Sequence, residues 1–162
     1  MLHNILIAVD GSRNSRRAVE YAGRLFAPNP EARLVLFQVL PAISPMNLDK
    51  KEIKKIDARK AERPDLAGLY WRAKDEEEMN NFIAEAKDLL VDAGVKPEQI
   101  KSKFGVKKAE IADAILEEAE FGNYDTLILG RRGVSRVREV FSGSVTTKVI
   151  REARGCAVVV VE

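Results

Sequence analysis

The chain has one cysteine, Cys156, one histidine, His3, and one tryptophan, Trp71. A lone cysteine excludes an intrachain disulfide and fits a reducing, cytoplasmic setting. No His/Cys/Asp/Glu cluster has metal-ligand spacing, so no metal site is expected from protein ligands. No apolar run reaches membrane-spanning length, and no membrane partner is expected. The opening MLHNILIAVDG has no basic region before its short apolar run, so a first strand is expected rather than an export signal. The net charge of +2, from 27 basic and 25 acidic residues, argues against bulk nucleic-acid binding. The common phosphate-binding patterns GxxxxGK[ST] and GxGxxG are both absent.

What is present suits one domain. A chain of 162 residues with 46% hydrophobic and 32% charged side chains can bury a single core. NILIAVD, residues 4–10, is nearly continuous in apolar character, as in a strand buried on both faces. Asp10-Gly11-Ser12 breaks it, and a helix is expected over about 13–26, with Ser12 or Asn14 as N-cap and Pro28 and Pro30 beyond its end. A second strand is expected over about 32–40, stopped by Pro41. Residues 41–73 read as a variable excursion from the core, with a mostly charged helix-permissive stretch and too little apolar content for a domain. An amphipathic helix follows over about 75–93, closed by Gly94, and an edge strand over about 99–105. A helix over about 109–119, the strand YDTLILG, a loop from Gly130 to Ser142, a helix opening near Gly143-Ser144 and the strand CAVVVVE complete the chain.

Strand and helix therefore alternate, which implies an α/β fold, a parallel sheet with helices on both faces. Such sheets bind ligands beyond the carboxyl ends of their strands. The segments after the strands are Asp10–Ser12, Val39–Pro41, Val106–Lys108 and Gly130–Gly133. Gly130-Arg131-Arg132-Gly133 offers glycine turns whose backbone N–H groups can form an anion-binding concavity. Gly143-Ser144-Val145-Thr146 opens a helix whose first N–H groups lack partners and favour phosphate. Locally, Arg131, Arg132, Arg136, Arg138, Lys148, Arg151 and Arg154 outweigh Glu139 and Glu152.

The whole spacing, G-x2-G-x9-G-S, is more specific than its glycines, and it resembles the ATP-binding signature of the universal stress protein family. ILIAVDGSRNSRRAVEYA resembles that family's opening strand, Asp and first helix, and SVTTKVIREARGCAVVVVE its last helix and strand. The resemblance covers about residues 1–40 and 98–162. It implies a single domain over 1–162 with an open, Rossmann-like five-stranded parallel sheet in the order 3-2-1-4-5. It also implies ATP as the ligand, with or without Mg2+. Asp10 then lies near ribose, phosphates or metal, and the Val39 backbone meets adenine. Gly130, Arg132 and Gly133 match the first phosphate and ribose turn, with Leu129 and Arg131 beside them as further ligand-binding residues; Gly143, Ser144, Val145 and Thr146 match the phosphate-binding helix start. A homodimer through the last strand, about residues 157–161, is implied too, as is a stress-response or signalling role with an unidentified protein partner.

Plainer roles exist for the same residues. Gly130 and Gly133 can shape a turn, Asp10 can cap the first helix, and the loop arginines can form a solvated face. His3 sits at the far end of strand one, and Cys156 is expected in the core. No catalytic residue is assigned, because no general base shows beyond Asp10 itself, so any ATP hydrolysis would be slow. The alternative within this fold is a partner-binding dimer that works without nucleotide. A receiver domain ranks last, since Asp10-Gly11 offers no paired acids and Glu162 stands where a lysine would be wanted.

Overall fold

The computed structural model describes residues 3–107, 109–131 and 144–162. Among these residues the order is β1 (Asn4–Val9), α1 (Arg13–Phe26), β2 (Arg33–Pro41), α2 (Lys50–Glu62), α3 (Ala73–Asp92), β3 (Ile100–Lys107), α4 (Ile111–Phe121), β4 (Thr126–Gly130), α5 (Ser144–Glu152) and β5 (Ala157–Val161). The strands pair in parallel in the order β3-β2-β1-β4-β5. This is the expected sheet.

Burial explains the patterning. Central β1 is covered on both sides, with Ile5 and Ile7 in one core cluster and Leu6 and Ala8 in the other. The first cluster takes in α1 through Ala18, Val19, Ala22 and Phe26, and α3 through Met79, Phe82, Ile83, Ala86 and Leu90. The second takes in α4 through Ala112, Ile115 and Ala119, and α5 through Val149. So α1 and α3 lie on one face and α4 and α5 on the other. The chain changes face on passing from β3 to β4, and this change of side puts the strand-order reversal between β1 and β4.

Two local departures have physical reasons. β2 does not stop before Pro41. The Arg33 N–H donates to the His3 carbonyl at 2.6 Å, and alternation turns the backbone groups of odd-numbered β2 residues toward β1. The last β1 pair is Val9 with Gln38, so Pro41 stands beyond the end of β1, where its missing N–H breaks no ladder bond. Pairing with β3 continues regardless, and the Ala42 N–H reaches the Lys107 carbonyl at 3.0 Å.

The second departure lies in residues 41–73. Ile56, Leu66 and Trp71 from this stretch are all in the first core cluster, and Trp71 is fully buried. The Trp71 ring meets Phe104 edge-on, with centroids 5.6 Å apart, and its Nε1–H donates to Glu76 Oε2 at 3.0 Å. Glu76 also pairs with Arg59 at 2.6 Å, which ties α2 to α3. One large aromatic therefore supplies the burial that the thin apolar stripe of α2 lacks.

Candidate nucleotide site

Beyond the carboxyl ends of β1, β2 and β4 lies a cavity of about 690 Å3. It has the size of a small-molecule site. Each strand end reaches it for a different local reason.

At the end of β1, Gly11 adopts φ +79°, a left-handed conformation that lets the chain turn sharply into α1. The turn is held by a compact network. The Ser12 N–H donates to Asp10 Oδ1 at 3.0 Å, and the Ser15 hydroxyl donates to the same oxygen. The Asp10 N–H donates back to Ser15 Oγ at 2.8 Å, while Ser12 Oγ caps the helix by accepting the Ser15 N–H at 3.0 Å. Ser15 is buried. Asp10 is thus a turn residue and a fixed carboxylate in the cavity wall at once.

At the end of β2, Val39 is one residue past the last β1 pair, and its backbone faces the β1 side. Its carbonyl therefore points past the end of β1, toward the cavity it lines. Gln38 and Phe37 line the cavity from the two faces of the same strand.

At the end of β4, Gly130 meets the first turn of α1. A Cβ at Gly130 would lie 2.7 Å from both the carbonyl carbon and the oxygen of Asn14. Gly130 is not among the positive-φ glycines, so close backbone approach rather than turn geometry demands glycine there. The start of α5 is tied to this strand end. Thr146 is buried, and its hydroxyl oxygen lies 3.2 Å from the Gly130 carbonyl and 3.1 Å from that of Arg131, a shared donor between them.

Of the residues expected at the site, Asp10, Val39, Leu129, Gly130, Val145 and Thr146 line this cavity. Arg131 does not. Its N–H donates to the Val161 carbonyl at 2.8 Å and its guanidinium pairs with the Glu162 carboxylate. Ser144 opens α5 and is exposed. Arg132, Gly133 and Gly143 lie outside the described residues, as does Lys108.

Sequence reasoning missed the walls. Asp75, Glu78, Met79 and Phe82 of α3 close one side, and Ile111 and Ile115 of α4 the other. Their helical period marks a buried face but not what that face is buried against. Among the described residues no three His, Cys, Asp or Glu side chains are placed to hold a metal ion. Nor, among those residues, is any helix long and apolar enough to cross a membrane.

The fold is shared with solved universal stress proteins. One, in complex with cAMP, is 24% identical with a TM-score of 0.67, covering 99% of this chain and 97% of its own. UspA from Lactobacillus plantarum is 18% identical with a TM-score of 0.70, covering 99% and 98%. One from Archaeoglobus fulgidus in complex with dAMP is 15% identical with a TM-score of 0.63, covering 100% and 98%. At these identities the likeness shows the fold alone. Comparison with curated protein sequences gives no match. The sequence profile of the universal stress protein family matches residues 1–162, and the chain belongs to that family.

Proposed function

We propose that this protein binds ATP at the carboxyl edge of its sheet and acts as a nucleotide-dependent stress-response module. The observation that carries this reading is the meeting of Asp10, Val39, Gly130, Val145 and Thr146 around one cavity. Three strands and a helix far apart in sequence supply them. Two of the solved relatives hold an adenine nucleotide, cAMP in one and dAMP in the other, which supports the ligand class.

In this reading the Val39 backbone meets adenine, and Leu129 packs beside the nucleoside. The N–H groups at the start of α5, from Ser144 to Thr146, which have no partner within the helix, face the phosphates together with Gly143. Arg132 and Gly133 complete the phosphate turn, and Arg131 contributes its backbone, since its side chain is held by Glu162. A Mg2+ would arrive on the phosphates, because Mg2+ keeps most of its waters and needs one or two protein carboxylates. Asp10, fixed by Ser12 and Ser15, fits that part.

Turnover is slow in this account. The Asp10 oxygen that accepts from Ser12 and Ser15 is already engaged, and no histidine is among the described lining residues to act as base. Calorimetric titration of ATP, with and without Mg2+, tests the reading; millimolar ATP giving no heat would sink it.

A dimer is the second element of the proposal. β5 is an edge strand, and its residues Val158–Val161 are only half-buried. The Ala157 N–H and the Val161 carbonyl bond toward β4, so alternation turns the backbone groups of Val158 and Val160 outward. A second copy paired along β5 would satisfy them and cover the valines. Should ATP not bind, this edge favours a partner-binding dimer of the same fold.

A further inference from the structure

Gln38 lines the cavity, yet its Oε1 is buried with no hydrogen-bond partner. Among the described residues the other end of its carboxamide has no partner either. Buried polar side-chain atoms are rarely left unpaired, and each such case calls for an explanation. The other orphaned atom among the described residues, Thr126 Oγ1, sits at the amino end of β4, away from the cavity. Gln38 precedes Val39, the residue whose carbonyl overhangs the end of β1. Its side chain lies on the α3 side of the sheet, the side from which Asp75 and Glu78 also line the cavity.

Resting on the adenine-nucleotide reading above, we propose that Gln38 is a base-reading residue of this site. A carboxamide pairs bidentately with the outer edge of adenine, its oxygen accepting from the 6-amino group and its nitrogen donating to N7. Among the described residues no hydrogen bond has to break for the amide to turn that edge to the ligand. A 6-oxo purine offers two acceptors there, which leaves Oε1 as unpaired as it is in the free protein. Asp75 and Glu78 act in the same direction, since ionised carboxylates only accept and so disfavour a 6-oxo group. Gln38 thereby selects amino purines over oxo purines beyond whatever the Val39 backbone contributes.

The test is titration of AMP and of IMP, which differ at the 6-position, into the wild-type protein and into Gln38→Met and Gln38→Leu. The expected result is a preference for AMP in the wild type. Each variant should bind AMP about tenfold more weakly, the loss of one bidentate base contact, and IMP should be weakened less, because it loses only the single bond that the carboxamide nitrogen can donate to its N7 or O6. Thermal stability should not fall, because each variant removes a buried unpaired oxygen. Equal changes for AMP and IMP, or no change for either, would overturn the role of Gln38 while leaving nucleotide binding intact. A wild-type protein that binds neither AMP nor ATP would overturn the nucleotide reading itself, and this role with it.

Discussion

The backbone of Asn14 occupies the space that a side chain on Gly130 would need. The end of β4 and the first turn of α1 therefore touch backbone to backbone, beside the cavity that both help to form. Gly130→Ala should cost about 1–3 kcal/mol, as overpacking at a rigid contact does. Thermal or denaturant unfolding would show it. An unaltered midpoint would mean that α1 gives way easily. Loss of ligand binding in this variant would report a displaced α1 as much as a lost contact.

Trp71 gives the excursion between β2 and α3 a definite place. Trp71→Ala should destabilise the protein by about 3–5 kcal/mol, in the range of other buried aromatic truncations. Urea unfolding followed by circular dichroism would measure it. A change below about 0.5 kcal/mol, the level of ordinary surface substitutions, would show that the segment is not part of the cooperative core.

Asp125 links the start of β1 to the turn before β4. Its carboxylate accepts the N–H groups of Asn4 and His3, both at 2.9 Å, and these bonds, that from Asn4 foremost, hold its pKa below the usual carboxylate value. A lowered folded-state pKa means a contribution fully present above the unfolded value, about 3.9, and lost as pH falls through the folded one. Asp125→Asn should thus lower the melting temperature at neutral pH, and the gap to wild type should close as the pH falls below about 4. A gap independent of pH would contradict this assignment.

The outward backbone of β5 makes the proposed dimer testable without disturbing the sheet. Val160→Pro removes an N–H that faces away from β4, a place where an edge strand tolerates proline. Analytical ultracentrifugation should find the wild type dimeric and the variant a folded monomer. An unchanged dimer would place the interface elsewhere.

Much of this arrangement was legible beforehand, and the gaps follow a pattern. The buried strands and the amphipathic helices announced the parallel sheet, and the spacing from Gly130 to Ser144 pointed to the edge of it at which the cavity lies. Pro41 misled because a proline ends a strand only where its N–H is needed, which depends on where β1 stops. Trp71 misled because a charged stretch hides how much area one indole buries. Gln38, Asp75 and Phe82 escaped notice because their importance comes from what faces them across the fold. Gly130 was noticed as part of a glycine turn, whereas its position demands the absence of a side chain.

The central claim is that ATP occupies the cavity at the carboxyl ends of β1, β2 and β4. Backbone amide NMR of the labelled protein, titrated with ATP and Mg2+, tests it most directly. Shifts should gather at Asp10–Ser12, Gln38–Val39, Gly130–Arg131 and Ser144–Thr146. Saturating shifts centred on other residues, or none at millimolar ATP, would contradict it.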